Sequence, residues 1–520
     1  MFSHFKNIAI VSFSTVGSRV LGLVRDILIF ASLGAGLWNS AFVLAFTLPN
    51  LFRRLLGEGA LTSAMVPVFS DVLERSGKVA AFRFFNGVLW RLCVVLFVLI
   101  LGGITLLALV SYSGVLPERW QAGAHLSIVL LPYMWFICLA AIISAGLNLL
   151  GKFALPSLTP VLLNLSMIGA LMAGLFMTDE AAILVRWLCG GVLVGGLLQL
   201  LLPAWDFARS GWRPQRIAER LPEMEELWRL FLPGLMGAAI LQINILVSRL
   251  LAFYLNESAA ALLYLSSRLM ELPLGIFTIA VTTVFFPLLA KSQAARDEAG
   301  FSSAICSGMR LVVGISLPAG VGLCVLGAPI LELLFEWGAF SASDVVATLP
   351  LIAIYGLGLP FYSAATFTTR GLHASKDMKS PVKIAAWCLI INAVLGVTLM
   401  YPLGASGLAL ANVLAACAQA FMLWSVLSKA NTKILSSKLF QAFVKVITGS
   451  VLMGLYCYAG RVAVESFDLT GKWEPFAIVV LLIPTAAGLY LFLLALMRFE
   501  ELATLRGMVR KFLPKKPTIS

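Results

Sequence analysis

Apolar residues run in long, nearly uninterrupted stretches along this chain, and polar residues collect in the short gaps between them. A helix needs about 20 predominantly apolar residues to cross a hydrocarbon core of ~30 Å. Fourteen such stretches are readable, near 8–30, 37–57, 88–110, 125–150, 157–177, 182–205, 228–254, 258–290, 305–328, 345–369, 381–401, 405–427, 440–461 and 475–497. The eighth is too long for a simple span, and Pro273 and Pro287 are expected to break or bend it. The pattern predicts an all-α polytopic membrane protein with 14 transmembrane helices.

Fourteen spans put both termini on one side, and the basic residues say which. Of 38 Lys and Arg, 28 fall on the side that holds the termini. Only Arg119, Arg186, Arg461 and Lys472 fall on the other, and six lie inside helices. The positive-inside rule makes the termini cytoplasmic. The net charge of +13 is then mostly a topology signal and an attraction to anionic lipid, so nucleic acid is not an expected partner. Composition agrees: 60% apolar and 12% charged residues, against roughly 25% charged in a soluble domain, cannot cover a water-soluble body of 520 residues. The mean hydropathy is +0.96.

The longest hydrophilic connection inside the bundle, 206–227, has mixed charges and reads as a solvated cytoplasmic helix. It separates an N-terminal lobe (1–205, helices 1–6) from a second lobe (228–428, helices 7–12). A final helix pair (429–498) and a basic cytoplasmic tail (499–520) follow. The two six-helix sections share a proline pattern. Pro49 and Pro273, Pro67 and Pro287, and Pro160 and Pro381 stand 224, 220 and 221 residues apart, each in the corresponding helix. Two repeats with broken helices are a transporter signature.

Cations in the spans narrow the chemistry, because a guanidinium at mid-bilayer costs ~2.5–3.5 kcal/mol on insertion scales. Arg19 and Arg268 lie near mid-membrane, and Arg25 and Asp26 toward the outer third of helix 1. Arg53, Arg54 and Glu58 fall on the cytoplasmic third of helix 2, where the two arginines could simply snorkel. Arg249 reads as an interfacial snorkeller. Glu271 shares a helix face with Arg268 and could pair with it. Arg25 and Asp26 are neighbours whose side chains leave the helix about 100° apart, which leaves Asp26 to brace an arginine elsewhere. Deep cations outnumber anions, which suits an anionic ligand, and the planar guanidinium fork suits phosphate.

Other chemistries find little support. The eight cysteines sit in apolar runs without a CxxC and read as small hydrophobes. Three histidines and no HExxH give metal catalysis little to work with. No GxxxxGK[ST] is present, so ATP hydrolysis is not expected, and no cofactor is implied. Secondary transport is the default, driven by a coupling ion of unknown identity or by the membrane potential.

Four strings carry a resemblance: SRVLGLVRD (18–26), AFVLAFTLPNLFRRLLGEGALTSAMVPVF (41–69), SRLMELPLGIF (267–277) and KDMKSPVKI (376–384). With them the chain resembles, over essentially its whole length, the MurJ (MviN) family. These are the bacterial lipid II flippases of the multidrug/oligosaccharidyl-lipid/polysaccharide exporter superfamily. The resemblance implies two six-helix lobes in a V-shaped bundle around a cationic cavity, alternating access, and a groove for the lipid tail at helices 13–14. It assigns substrate binding to Arg19, Arg25, Asp26, Arg53, Glu58 and Arg268. Ser40, Thr47 and Ser267 depart from charged residues of some members, and no Asp lies in helices 7, 11 or 12 to hold sodium.

The reading is a lipid II flippase of the bacterial inner membrane. It would move the undecaprenyl-diphosphate-linked peptidoglycan precursor to the outer leaflet without making or breaking a bond. Partners would be lipid II, membrane lipids and cell-wall synthesis proteins, with a monomer as the default. A flippase for another polyprenyl-diphosphate oligosaccharide and a non-transporting scaffold of the wall machinery stay open. A cation antiporter would want carboxylates instead, and an enzyme is the weakest reading.

Overall fold

Hydrocarbon offers the backbone no hydrogen-bond partners, so the apolar runs must satisfy their own amides as helices. The computed structural model describes residues 2–57, 59–217, 219, 221–430, 437–467 and 469–502, and among them there is no strand. In chain order the helices are α1 (Phe2–Leu33), α2 (Leu37–Phe52), α3 (Ala60–Tyr112), α4 (Glu118–Leu149), α5 (Ala154–Leu175), α6 (Ala181–Arg209) and α7 (Glu223–Leu255). They continue with α8 (Ala259–Pro273), α9 (Ile279–Ala294), α10 (Glu298–Leu334), α11 (Ala342–Ala374), α12 (Lys379–Ala430), α13 (Ser437–Glu465), α14 (Trp473–Ala477) and α15 (Ile483–Leu496). Among the described residues, 11 helical stretches are long and apolar enough to cross a membrane.

Two helices are far longer than a bilayer. At 1.5 Å per residue, the 53 residues of α3 would reach ~80 Å if straight. Each is interrupted by a glycine with positive φ: Gly77 in α3 (φ 79°) and Gly404 in α12 (φ 59°). That conformation is open to glycine at little cost and breaks the helical hydrogen-bond ladder.

Among the described residues, three short π-helical segments interrupt other helices: Arg53–Gly57 after α2, Leu274–Thr278 between α8 and α9, and Ile478–Leu482 between α14 and α15. The first two begin 221 residues apart, the spacing that also separates Pro160 from Pro381. Pro273 sits at the second π segment, whereas Pro287 lies inside α9 without ending it. The long eighth stretch is thus broken once, at its proximal proline.

The chain divides into two compact units, Met1–Ala261 with Trp337–Ser341, and Leu262–Glu336 with Ala342–Ser520. In the first unit α1 packs on α5, and α4 on α2, α3 and α6. Tyr133, Phe30, Phe69, Phe84, Phe85, Phe207 and Phe253 are fully buried there. The connection after α6 is not a solvated helix. From Gly211 to Pro222 its described residues lie outside any helix, and Trp212 is buried. The indole stacks on Phe207, and its Nε1 donates to Asn86 Oδ1 at 2.8 Å. This aromatic anchor docks the connection while Arg213, Arg216 and Glu219 stay exposed. In the second unit α13 packs on α10 and α15 on α13, with Val446, Met453, Tyr490 and Leu494 in the shared core, and the Tyr490 hydroxyl donates to Gly314 O of α10 at 2.6 Å. The basic tail is described only as far as residue 502.

Candidate functional site

Helix 1 of the sequence reading is α1, and its two deep charges meet each other. Arg25 and Asp26 are both buried. Arg25 donates to Asp26 Oδ1 from Nε at 3.0 Å and from Nη2 at 2.6 Å. Asp26 therefore pairs with the arginine beside it in sequence. The 100° divergence applies to the Cα–Cβ directions, and the long arginine side chain folds back across it. A carboxylate only 1% exposed needs a counter-charge close by, and the adjacent residue supplies it.

The same guanidinium reaches α5. Its Nη1 donates to Asn164 Oδ1 at 3.0 Å, and Asn164 Nδ2 donates to the Ser18 carbonyl at 3.0 Å. Ser18 and Arg25 are seven residues apart, two turns, on one face of α1. One buried amide thus spans the stretch that carries Arg19 and Arg25. The sequence reading missed Asn164. Its signal was a lone amide in the uncharged run Ala154–Leu175, where a polar side chain is expected to find an interior partner.

The other assigned residues are placed as follows. Arg19 is exposed on α1. Arg53 opens the first π segment, half-buried, with Nε donating to Asn50 Oδ1 at 3.3 Å, and Arg54 beside it is exposed. Glu58 lies outside the described residues. In the second unit Arg268 Nη1 meets Glu271 Oε2 at 3.3 Å, the i,i+3 pair that the helical spacing allowed. Arg249 is not merely an interfacial side chain, since its Nη1 donates to Ala260 O at 3.2 Å, at the start of α8.

Of the three departures from the charged pattern, Ser40 bonds to a residue far along the chain and Thr47 and Ser267 bond locally. The Ser40 hydroxyl, fully buried, accepts from Ala261 N at 3.2 Å. Thr47 donates to Val43 O at 2.6 Å and Ser267 to Tyr264 O at 2.9 Å. The KDMKSPVKI string builds a helix start. Asp377 Oδ1 accepts from Ser380 N at 2.9 Å and Lys379 N at 3.1 Å. Hydrogen bonds from Ser380, side chain and backbone, hold its carboxyl below the usual carboxylate range. Among the described residues, no group of three or more His, Cys, Asp or Glu side chains could hold a metal ion.

An apolar hollow of about 350 Å³ lies at the start of the last helix, lined by Leu469, Trp473, Phe476, Ala477, Val480 and Leu481. The chemical sum is a set of guanidinium groups held in place by carboxylate and amide partners, together with an apolar surface on the C-terminal pair.

A family model described as lipid II flippase MurJ matches residues 29–483. A probable lipid II flippase MurJ of Haemophilus influenzae is 32% identical over 468 residues, covering 85% of this chain and 89% of that relative. The lipid II flippase MurJ of Burkholderia cenocepacia is 29% identical over 513 residues, covering 95% and 98%. Among solved structures, a lipid II flippase MurJ in an inward closed conformation aligns with a TM-score of 0.77 at 26% identity, covering 94% of this chain and 98% of that one. An inward-facing multidrug resistance MATE family transporter of the MOP superfamily shares the fold, with a TM-score of 0.62 at 13% identity, covering 80% of this chain and 95% of that one.

Proposed function

The chain belongs to the lipid II flippase MurJ family, and from that premise we propose how this multi-pass membrane protein flips lipid II. Splitting α3 at Gly77 and α12 at Gly404, joining α8 with α9 and α14 with α15 across their π segments, and taking α2 with the first part of α3 as one span supports a count of 14 spans. With the charge pattern, that count puts both termini in the cytoplasm and groups the spans as two six-helix lobes and a C-terminal pair. Flipping then proceeds by alternating access, without nucleotide hydrolysis, driven by an ion gradient or the membrane potential, in a monomer.

The physical task is to shelter a diphosphate and its polar headgroup from hydrocarbon while the polyprenyl tail stays in lipid. Arg19, Arg25, Arg53 and Arg268 act on the diphosphate, with Asp26 and Glu58 tuning the positive charge. The observation that carries this reading is the buried Arg25, oriented by Asp26 and Asn164. A guanidinium oriented by a carboxylate and an amide is pre-organised, and its planar geometry suits phosphate oxygens. The C-terminal pair gives the tail an apolar track.

Liposomes containing this protein and fluorescent lipid II supply the test. Appearance of lipid II in the opposite leaflet, dependent on Arg25, supports the reading. No flipping by a folded protein favours a scaffold of the wall machinery, and equal flipping of other polyprenyl-diphosphate oligosaccharides favours a broader exporter.

A further inference from the structure

Five residues between α10 and α11 do not belong to the unit of their neighbours. Trp337–Ser341 is part of the first unit, while α10 and α11 on either side are part of the second. The segment sits on the C-terminus of α1. Ala339 N donates to Ala31 O at 2.7 Å, a carbonyl in the last helical turn, where intrahelical donors run out. Phe340, 1% exposed, packs edge-on against Phe30 at 5.5 Å. Two glycines permit the approach. Gly34 (φ 61°) would put a Cβ 2.7 Å from Ala339 O, and a Cβ on Gly338 (φ 56°) would collide with Ala31 O. Both hold a backbone conformation that side chains rarely adopt.

The other end of the segment is held by the C-terminal helix pair. Lys472, in the connection between α13 and α14, donates to Glu336 Oε2 at 2.9 Å and to Glu332 O at 2.7 Å. Glu336 is the residue immediately before the strap. The strap thus rests on α1 within the first unit, and the residue that precedes it in the chain is held by Lys472 within the second.

We propose that Trp337–Ser341 is a latch on the end of α1 that must let go in each transport cycle, and that Lys472 sets how readily it lets go. Its hold includes one backbone hydrogen bond, one aromatic pair and a glycine–glycine fit. By the charge pattern it lies on the outer face. Lys472 gives the C-terminal pair a line to the strap through Glu336. The cycle is taken from the transport reading; the latch itself can be tested apart from it.

Hydrogen exchange of the 335–341 segment, in the full chain in lipid nanodiscs, reads the docking directly. Exchange should be slow in the wild type and about tenfold faster in Gly338→Ala, because the added Cβ drives the strap off Ala31. Lys472→Ala should speed it about threefold, in keeping with a partly exposed ion pair. Unprotected wild-type strap, or no response to Gly338→Ala, overturns the latch, and no response to Lys472→Ala overturns the coupling. The second arm joins Phe30→Cys and Phe340→Cys with a short thiol cross-linker in a cysteine-free background. Cross-linked protein should stop flipping lipid II in liposomes while the same protein before cross-linking flips; equal flipping in both overturns the requirement for release. If that double variant does not flip before cross-linking, the exchange result decides. Wild-type protein that shows the protected strap but no flipping counts against the transport reading and not against the docking.

Discussion

Arg25 on α1 and Asn164 on α5 share a hydrogen bond of 3.0 Å from Nη1 to Oδ1, and the same amide holds the Ser18 carbonyl two turns back along α1. Asn164 is therefore a positioning residue for the guanidinium and for the α1–α5 contact together. A hydrogen bond to a charged group contributes ~1.5–3 kcal/mol, and more is lost when the charged partner stays buried without it.

Removing that amide should impair transport more than folding. Asn164→Ala is expected to lower lipid II flipping about tenfold in liposomes, in line with a loss of ~1.4 kcal/mol of orientation. Asn164→Asp should do at least as much harm, because a second carboxylate neutralises the Arg25 charge in addition to orienting it. Normal flipping by both variants, at normal insertion, would remove Asn164 from the site.

The arginines themselves make a sharper demand. Arg19→Ala, Arg25→Ala and Arg268→Ala should each abolish complementation of a flippase-depleted strain while the protein still inserts and folds. The Lys variants should rescue in part at best, since an ammonium lacks the bidentate fork. If all three Ala variants transport normally, the diphosphate assignment fails.

The all-helical, membrane-spanning character was legible because lipid writes its demands plainly: runs of about 20 apolar residues need no tertiary information to be read. What stayed hidden depends on where side-chain tips arrive. Arg25 reached its sequence neighbour because its side chain is long, and Asn164 looked like any amide in an apolar run. Trp212 turned a charged connection into a docked strap because a single indole found Asn86 and Phe207. Trp337–Ser341 could not be assigned from sequence, since short loops beside long helices carry no hydrophobic period.

Sidedness has a direct measurement. In a cysteine-free background, Ser210→Cys lies in the connection after α6, and Ser466→Cys follows α13. The charge asymmetry predicts that an impermeant maleimide labels Ser466→Cys on intact cells and Ser210→Cys only after permeabilisation. The reverse pattern would invert the topology.

The C-terminal pair can be probed for a lipid-tail track, and packing dictates where. A Cβ on Gly449 would lie 3.1 Å from the Tyr490 ring, and one on Gly454 would lie 2.7 Å from Val321. Ala486 is 4% exposed. These three positions are inside the α10–α13–α15 packing, so Trp there should lower the thermal stability of the purified protein, since overpacking costs ~1–3 kcal/mol or more. Gly488 differs, because nothing lies within 4 Å of a Cβ built on it. It stands seven residues after Leu481, two turns along the same helix face as the apolar hollow. Gly488→Trp should leave stability unchanged and weaken binding of long-tailed lipid II several-fold. Affinity for a short-tailed, water-soluble analogue should hold, because the arginines are untouched. Paired affinities for the two substrates decide the matter: equal losses, or none for either, would show that the tail does not run along this face.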